Sequence, residues 1–450
     1  QELGNKNKMA RSRKKSLPTT PVRAVINSLT HDGRGVTHID GKAVFIDAAL
    51  PGEEVEFLYT DIRRDYAEAK VIKILTASEH RMDPLCPHFD VCGGCSFQHV
   101  DAAQQIEIKQ ALLEEQFKRI GKLSIPEFWK PLKGPHWGYR RKARMGVKYV
   151  AKKNRVLVGF REKRNPFLAE MDNCLVMHPI VGTKLMELGE MIAGLTIREK
   201  IPQIEVAVGD EECVLAIRVL EPPTAADQER MRAFGKIHNL SLCLQAKGPD
   251  TITPLDGEPE IIPKYALPDQ GIEFKFRPAM FTQVNYEINR LMINRVLATL
   301  NLTKDDTVLD LFCGLGNFTL PIAKYAGSVV GIEGDLPLVK HDRENEVHND
   351  IDNAEFYAAD LSKDISDQPW VKRKYNKILL DPSRGGASEV LHHFKEWQPQ
   401  QIVYVSCNPS TLARDAGILV NEMGYRLVKA GVMDMFPQTG HVESMALFEV

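Results

Sequence analysis

Short runs in which apolar and polar residues alternate occupy residues 21–75 of the chain. Turn-forming pairs separate these runs, among them Asp40-Gly41 and Pro51-Gly52. Alternation with a period of two indicates half-buried strands, and several short strands at this spacing are typical of a small β-barrel. We therefore predict an OB-like β-barrel over residues 19–79, preceded by a disordered basic tail over residues 1–18. The expected strands are residues 22–26, 43–46, 55–59 and 67–74.

From about residue 274 the pattern changes to apolar strands that alternate with helices. This pattern predicts a parallel sheet covered on both faces. We expect it to form a Rossmann-like domain over residues 266–450. The expected helices include residues 286–300 and a segment that ends at 325, and the expected strands are residues 308–312, 329–332, 356–357, 377–380, 402–405, 426–434 and 442–449.

The region between these two parts, residues 80–265, has a less regular pattern. It predicts a helix over residues 101–120 and strands over residues 204–208 and 214–219. We expect a mixed α/β domain that also contains a group of cysteines and a basic segment.

Composition is that of an ordinary globular protein. Hydrophobic residues make up 43% of the chain and charged residues 26%, and the formal net charge is −2. No apolar run approaches the length of about eighteen residues that a membrane helix needs. We therefore expect a cytoplasmic protein with no membrane partner.

Positive charge is concentrated in two segments. Six of the first fifteen residues are Lys or Arg, and residues 140–164 hold eleven Lys or Arg against one acid, Glu162. Basic residues mixed with aromatic rings suit RNA, because its phosphates bind cations and its unstacked bases stack on rings. A solvated basic face is the alternative for either segment. The aromatic residues that interleave the second segment are Trp137, Tyr139, Tyr149 and Phe160.

A glycine turn joins an apolar strand to a helix at residues 310–317. Glycines there let the backbone approach a ligand, and the helix N-terminus presents free N–H groups. A dinucleotide fingerprint needs a third glycine near position 319, where the chain has Thr319, so no pyrophosphate cradle is predicted. Glu333, at the end of the next strand, is placed to hydrogen-bond ribose hydroxyls. Asp360, after the third strand, is placed to accept from an adenine amino group.

Two further segments carry candidate chemistry. Asn408 and Pro409 suit the N-cap and first position of a helix, so Cys407 should lie beside a helix N-terminus at the end of a parallel strand. The partial positive charge there favours the reactive thiolate, whereas an inert buried cysteine is the alternative. Glu443, at the start of the last strand, can face the same crevice as a general base, or can be an ordinary surface carboxylate.

A thiolate and a carboxylate in one crevice suit methylation of uracil at C5. This carbon is a poor nucleophile, but addition of a thiolate to C6 converts C5 into an enolate carbon that can accept a methyl group from a sulfonium donor. The carboxylate then removes the C5 proton so that the enzyme can be eliminated, and the base must first leave any stack. The segment that begins at Asp381, after the fourth strand, is placed to hold the uracil edge or the methionine end of the donor.

Four cysteines predict a metal site. Cys86, Cys92 and Cys95 lie close together in the chain and Cys174 follows after a long gap. Four thiolates suit either zinc or an iron–sulfur cluster, and the spacing does not choose between them. The spacing differs from the C-x3-C-x2-C run of radical enzymes, which disfavours radical chemistry. The remaining cysteines are interpreted as packing residues: Cys213, Cys243 and Cys313.

These motifs together resemble the RNA 5-methyluridine methyltransferase family, and within it the bacterial members that modify 23S ribosomal RNA. The resemblance covers nearly the whole chain, and its one departure, Ser383, leaves the role of Asp381 intact. The motifs that carry it are the TRAM-like front domain, Cys86 with Cys92-Gly93-Gly94-Cys95, Phe281-Thr282-Gln283-Val284-Asn285, residues 310–321, Leu380-Asp381-Pro382, Ser406-Cys407-Asn408-Pro409 and Gly440-His441-Val442-Glu443.

The resemblance implies a TRAM domain, a central iron–sulfur and RNA-binding domain over residues 80–265, and a class I methyltransferase domain that uses S-adenosylmethionine. It implies a monomer acting on 23S rRNA, Cys407 as nucleophile and Glu443 as base. It favours a [4Fe-4S] cluster over zinc, and we expect this cluster to order the RNA-binding region. The residues it places at the cofactor are Gln283, Phe312, Asn317, Glu333, Asp360 and Asp381.

Three alternatives remain at this point. A tRNA uridine C5-methyltransferase would use the same chemistry on another RNA. A non-catalytic RNA-binding assembly factor could keep the fold, although intact Cys407 and Glu443 argue against it. A dehydrogenase is disfavoured by the missing third glycine.

Overall fold

The computed structural model describes residues 17–30 and 32–450, which pack as two compact units that divide between Met82 and Asp83. The predicted basic tail lies almost entirely outside the described residues. None of the helices in the described part of the chain combines the length and apolarity that a membrane crossing requires.

The first unit contains a six-stranded sheet within its described residues, with strand order β1-β5-β6-β4-β3-β2. The predicted alternation is confirmed, because Val55 and Phe57 are buried while Glu54 and Glu56 are partly exposed. Arg81 closes this unit by pairing with the buried carboxylate of Glu53 at 2.6 Å. The strands are β1 (Val22–Val25), β2 (Ser28–Leu29), β3 (Gly35–Ile39), β4 (Lys42–Asp47), β5 (Glu54–Ile62) and β6 (Tyr66–Thr76).

The second unit begins with a mixed α/β region, as predicted. Its sheet has the order β12-β11-β10-β9-β7-β8, and helix α4 makes the crossover that lets β10 and β11 run parallel. The elements are α1 (Ala102–Gln116), β7 (Lys142–Val150), β8 (Arg155–Gly159), α2 (Pro179–Gly182), α3 (Leu185–Ala193), β9 (Gln203–Val208), β10 (Cys213–Arg218), α4 (Ala225–His238), β11 (Ser241–Gln245) and β12 (Ile252–Pro254).

Helix α1 starts where the sequence predicts it. The Asp101 carboxylate caps it by accepting from the backbone N–H of Gln104, and the helix continues as a π-helical turn, Phe117–Gly121, which ends at Lys122 in the left-handed conformation. Buried residues on α1 and this turn pack against the second half of the chain, so the central region and the C-terminal sheet share one core.

The C-terminal part of this unit is a seven-stranded sheet of order β17-β16-β15-β18-β19-β21-β20. It follows a β13-β14 hairpin and helix α5. The elements are β13 (Lys264–Leu267), β14 (Ile272–Lys275), α5 (Tyr286–Leu300), β15 (Thr307–Leu311), α6 (Thr319–Tyr325), β16 (Ser328–Glu333), α7 (Leu336–His348), β17 (Ala354–Ala358), β18 (Lys377–Leu380), α8 (Phe394–Trp397), β19 (Gln401–Ser406), α9 (Pro409–Gly417), β20 (Arg426–Met433) and β21 (Glu443–Glu449).

Successive side chains of the parallel strands enter two different cores. Val308 and Val403 belong to one core, whereas Leu309 and Ile402 belong to the other. Both faces are therefore buried, which explains why the strands are continuously apolar in the sequence. The strand order changes direction between β15 and β18, and in open α/β sheets ligands bind outside the carboxyl ends of the strands at such a point.

Candidate active site

The loop after β15 is shaped to let a ligand approach its backbone. Phe312, Gly314 and Gly316 all have positive φ angles, of 65°, 58° and 73°. Only glycine adopts this conformation without strain, so the two glycines are required, whereas Phe312 is held there by its surroundings. A Cβ on Gly316 would also lie 3.3 Å from the Phe356 ring.

Thr319, which replaces the third glycine of a dinucleotide site, has its own role in this loop. Its hydroxyl donates to the Asp310 carboxylate at 2.5 Å, and both side chains are fully buried. Burial, followed by the charges of Asp381 and Glu333, raises the pKa of Asp310 to about 8. The hydrogen bond between Thr319 and Asp310 therefore joins the two ends of the glycine turn.

Asn317 lies in a side-chain network at the start of α6. Its Oδ1 accepts from the Tyr265 hydroxyl at 2.9 Å and from Asn289 Nδ2 at 3.0 Å, and its own Nδ2 donates to Asn289 Oδ1 at 2.8 Å. One N–H of the amide remains for another acceptor. Gln283 lies half-buried just before Asn285, which caps α5.

Glu333 is the last residue of β16 and Asp360 lies two residues after β17, as the sequence predicts. Glu333 accepts from the backbone N–H groups of Gly314 at 3.0 Å and Asp335 at 3.1 Å, so this carboxylate is fixed against the glycine turn. Asp360 is exposed and accepts from both the N–H and the hydroxyl of Ser362. These hydrogen bonds, with Lys363 nearby, lower the pKa of Asp360 to about 2.

Cys407 lies at the N-terminus of α9. Asn408 caps this helix by accepting from Ser410 N at 3.1 Å, and Pro409 occupies its first turn, so this prediction is confirmed. Asn408 Nδ2 also donates to the backbone oxygen of Arg384 at 2.9 Å, which ties the loop after β18 to the helix.

The sheet register brings Glu443 to Cys407. Strand β21 runs antiparallel to β19 and pairs Ser444 with Ser406, so the next positions, Glu443 and Cys407, lie opposite one another. Asp381 follows β18 on the other side of β19. The structure therefore places three predicted side chains together at the carboxyl edge.

The prediction that Cys407 has a lowered pKa is wrong for the free protein. Burial, followed by the charges of Glu443 and Asp381, raises the pKa of the Cys407 thiol to about 11. The helix N-terminus and Arg384 favour the thiolate, but desolvation and two carboxylates have the larger effect. Burial likewise raises the pKa of Asp381 to about 7, and that of Glu443, which is 4% exposed, well above its usual range.

One buried acid near this site has no signal in the sequence. Asp342 lies on α7, fully buried, and neither of its carboxyl oxygens has a hydrogen-bond partner. Burial, with the charges of Glu333 and Asp310, raises its pKa to about 9. Its neighbours along the helix are mostly polar, so only the tertiary structure shows that this position faces inward.

The four predicted ligand cysteines come together in the second unit. Burial raises the pKa of Cys95 to about 12, with further effects from Cys174, Cys92 and Cys86, so the thiols are within electrostatic range of one another. The backbone N–H of Gly94 points to the Cys92 sulfur at 3.3 Å. Among the described residues, however, no three Cys, His, Asp or Glu side chains form a group that could hold a metal ion.

Parts of the basic segment are committed to internal contacts. Tyr139 is 5% exposed and donates its hydroxyl to the Pro437 backbone oxygen at 2.9 Å, so the expectation that this ring is available for stacking on a base is wrong. Arg141 packs over Tyr286, and Arg144 pairs with Glu205. The segment is therefore partly structural.

The raised pKa of Cys407 predicts slow and pH-dependent alkylation. In the free protein the rate of iodoacetamide labelling at Cys407 should rise about tenfold per pH unit between pH 7 and pH 9, because the thiolate is the nucleophile. Glu443→Gln removes a neighbouring charge and should speed labelling at pH 9. Peptide mass spectrometry measures the rate, and a plateau near pH 7 would contradict the raised pKa.

The buried Asp342 predicts a pH-dependent stability. Its folded pKa of about 9 exceeds the ordinary value of 3.8, so its contribution to stability is complete below pH 4 and is lost as the pH rises towards 9. Asp342→Asn should raise the thermal midpoint, and more at pH 8 than at pH 5. As a control, Asp415→Asn should lower it at both pH values, because Asp415 accepts from the Tyr404 hydroxyl and the Ala387 N–H. Equal midpoints for wild type and Asp342→Asn at pH 8 would contradict the prediction.

Comparisons with known proteins place this site in a family. Residues 258–450 match the family model described as tRNA (Uracil-5-)-methyltransferase, and residues 18–72 match the TRAM domain model. The 23S rRNA (uracil(1939)-C(5))-methyltransferase RlmD of Methylococcus capsulatus is 52% identical over 98% of this chain and 99% of its own length. The protein of the same name from Alkalilimnicola ehrlichii is 50% identical over 97% and 98%.

A solved structure has the same fold. The tRNA (uracil-54, C5)-methyltransferase of Pyrococcus abyssi, in complex with S-adenosyl-L-homocysteine, aligns over 95% of this chain and all of its own with a TM-score of 0.72 and 22% identity. At that identity it shows the fold alone, whereas the full-length relatives at about half identity show the family. The chain belongs to the bacterial 23S rRNA (uracil-C5)-methyltransferases.

Proposed function

We propose that this protein transfers a methyl group from S-adenosylmethionine to C5 of one uridine in 23S rRNA, with Cys407 as nucleophile and Glu443 as general base. The uridine would be the one named for its relatives, position 1939. The observation that carries the proposal is the register of β19 and β21, whose last pair, Ser406 and Ser444, directly adjoins Cys407 and Glu443. The charge of Glu443 accordingly acts on the Cys407 thiol.

The reaction follows from this arrangement. Cys407 adds to C6 of the flipped uracil, and the electrons of the C5–C6 double bond move to the O4 enolate. The enolate carbon C5 then takes the methyl group, while the electrons of the breaking bond return to the sulfur of the donor. Glu443 removes the C5 proton, the double bond re-forms, and Cys407 leaves as thiolate.

The protonation states need a change before this chemistry begins. Burial raises the pKa of both groups in the free protein, and Cys407, with a pKa of about 11, holds its proton at neutral pH. S-adenosylmethionine supplies the methyl group as a sulfonium, and its positive charge favours ionised groups nearby. We expect the bound donor to lower the pKa of Cys407, Asp381 and Glu443, so that Cys407 can add as a thiolate and Glu443 can act as a base.

The remaining candidate residues would bind either the cofactor or the uracil. Glu333 is fixed against the glycine turn and would accept from the ribose hydroxyls. Asp360, at the exposed end of the crevice, would accept from the adenine amino group, and Asn317 has a free N–H. Gln283 and Phe312 would complete the cofactor pocket, and Asp381 would hold the methionine end of the cofactor or the uracil edge.

The RNA would contact the two N-terminal regions. The first unit, in which residues 18–72 match the TRAM domain model, would be an RNA-binding barrel. In the second unit the cysteine segment, residues 86–95, is hydrogen-bonded to part of the basic segment, residues 140–164. Gly93 N donates to Arg161 O and Lys163 N donates to Val91 O, both at 2.8 Å. Lys163 also lies 4.0 Å from the centre of the Phe89 ring. These bonds support a role for the cysteine site in ordering an RNA-binding surface.

The cysteine site would hold a [4Fe-4S] cluster, which the family resemblance favours over zinc. Cys95 is within electrostatic range of Cys86, Cys92 and Cys174, so the four thiols are near one another. Four thiolates are a ligand set that suits either group. The cluster would be held by Cys86, Cys92, Cys95 and Cys174, and it would supply cross-linking of the segments, since the methylation chemistry belongs to Cys407.

Substitutions at the two catalytic positions test the proposal. Cys407→Ala should abolish methyl transfer from labelled S-adenosylmethionine to a 23S rRNA fragment, because no C5 nucleophile forms. Glu443→Gln should transfer methyl but retain the RNA as a covalent adduct that survives denaturing electrophoresis, because elimination needs loss of the C5 proton. Methylation of tRNA in preference to the rRNA fragment, or transfer by Cys407→Ala, would refute the proposal.

Metal analysis tests the cysteine site. Protein purified without oxygen should contain iron and sulfide in equal amounts, and Cys92→Ser should lose both, since one ligand of four is removed. Cys213→Ala, which changes a buried cysteine outside the group, should keep them. Zinc in place of iron would identify the single-ion alternative as correct.

A further inference from the structure

The loop that delivers Glu443 contains a strained residue. Gln438 lies between β20 and β21 with φ of +68°, although it is not glycine, and it is 5% exposed. Residues held in this region persist only where the surroundings impose the conformation, and such residues concentrate at functional sites. The contacts that impose it here come from a distant part of the chain.

Gln105, on helix α1, forms a reciprocal pair with Gln438. Its Oε1 accepts from the backbone N–H of Gln438 at 2.9 Å, and its Nε2 donates to the Gln438 side-chain oxygen at 3.1 Å. The Gln105 side chain is 2% exposed, so water does not compete for these bonds. The same Nε2 lies 3.0 Å from the backbone oxygens of Phe97 and Val100, which fixes the amide orientation.

The residues directly after Cys95 hold the other side of the loop. The backbone N–H groups of Ser96 and Phe97 both donate to the Gln438 backbone oxygen at 3.0 Å. The Ser96 hydroxyl accepts from Gly440 N at 3.0 Å, three residues before Glu443. Every hydrogen-bonding group of the Gln438 backbone is thereby satisfied from residues 96–105.

A buried ion pair fixes the start of the same loop. Lys109 Nζ lies 2.8 Å from Asp434 Oδ1 and donates to the Phe436 backbone oxygen at 3.0 Å, and both charged side chains are 1% exposed. A buried pair of this kind defines one geometry, because separation would leave two uncompensated charges. The loop is therefore held at residues 434, 436, 438 and 440.

We propose that Ser96, Gln105 and Lys109 form a clamp that positions Glu443 for removal of the C5 proton. The clamp residues bond to the 434–441 loop and would act on Glu443 through it, so they are positioning residues. The inference rests on the proposed function, since it assigns the clamp to the last step of that reaction. It also means that the cysteine segment, which ends at Cys95, directly precedes Ser96, the first residue of the clamp that positions Glu443.

The test separates two steps of one turnover. Single-turnover transfer of labelled methyl into RNA reports the steps through methylation, and tritium release from RNA containing 5-tritiated uridine reports proton removal. In Gln105→Ala and Ser96→Ala, methyl transfer should stay near the wild-type rate while tritium release slows by about ten- to a hundredfold, the effect of a displacement of about 1 Å. The covalent adduct should accumulate accordingly.

Matched controls distinguish positioning from general destabilisation. Gln228 is another buried glutamine that joins a helix to a loop: its Nε2 donates to Asp256 Oδ2 and its Oε1 accepts from Asp256 N, both at 2.8 Å. Gln228→Ala should leave the ratio of the two rates unchanged. Ser96→Thr keeps the hydroxyl and should restore the ratio. If both rates fell in parallel in the Gln105 and Ser96 variants, or if the ratio of tritium release to methyl transfer did not change, the clamp proposal would be overturned. Absence of tritium release in the wild type would instead overturn the proposed function.

Discussion

The antiparallel pairing of β19 with β21 is the constraint on which the proposed chemistry depends. Six register pairs fix the two strands, ending with Ser406 opposite Ser444. A shift of one residue would turn each side chain to the other face of the sheet, so the pairing also decides which residue faces Cys407. The absence of a helix between β20 and β21 is what allows the last strand to return antiparallel and to begin, rather than end, at the catalytic edge.

Several buried acids lie at or near the carboxyl edge of this sheet. Asp310, Asp342, Asp381 and Glu443 all have raised pKa values, and burial is the largest cause for each. Burial disfavours the ionised form of each acid, and a cationic ligand would favour it. Under the proposed function, ionisation of these groups is therefore coupled to binding of the positively charged donor.

The second unit joins its cysteine segment to both sides of the proposed reaction. Gly93 and Val91 of this segment bond to Arg161 and Lys163 of the basic segment. Ser96 and Phe97, directly after the segment, bond to Gln438 in the loop before Glu443. These contacts are backbone hydrogen bonds. A cross-link at the cysteines would therefore stabilise an RNA-facing surface and the catalytic edge together, without itself taking part in methyl transfer.

Local properties of the chain determined most of the strands and helices. Four predicted features depend on near neighbours in the sequence: the burial alternation of β5, the start of α1, the glycine turn after β15 and the Asn408-Pro409 start of α9. The family was also predicted from motifs. Roles of single residues, including Gln283, Asn317 and Asp360, remain predictions that depend on a bound ligand.

Only the tertiary structure decided the properties that depend on burial and on distant contacts. The helix N-terminus beside Cys407 suggested a thiolate, but desolvation and the nearby carboxylates raise its pKa. Tyr139 belongs to a basic, aromatic segment in the sequence, yet its ring is buried against a loop 298 residues away. Gln105 and Gln438 are separated by 333 residues, so no local pattern could pair them. Solvent exclusion arises from the packed chain as a whole. The sequence therefore located the reactive groups, but it did not show their protonation or the distant residues that position them.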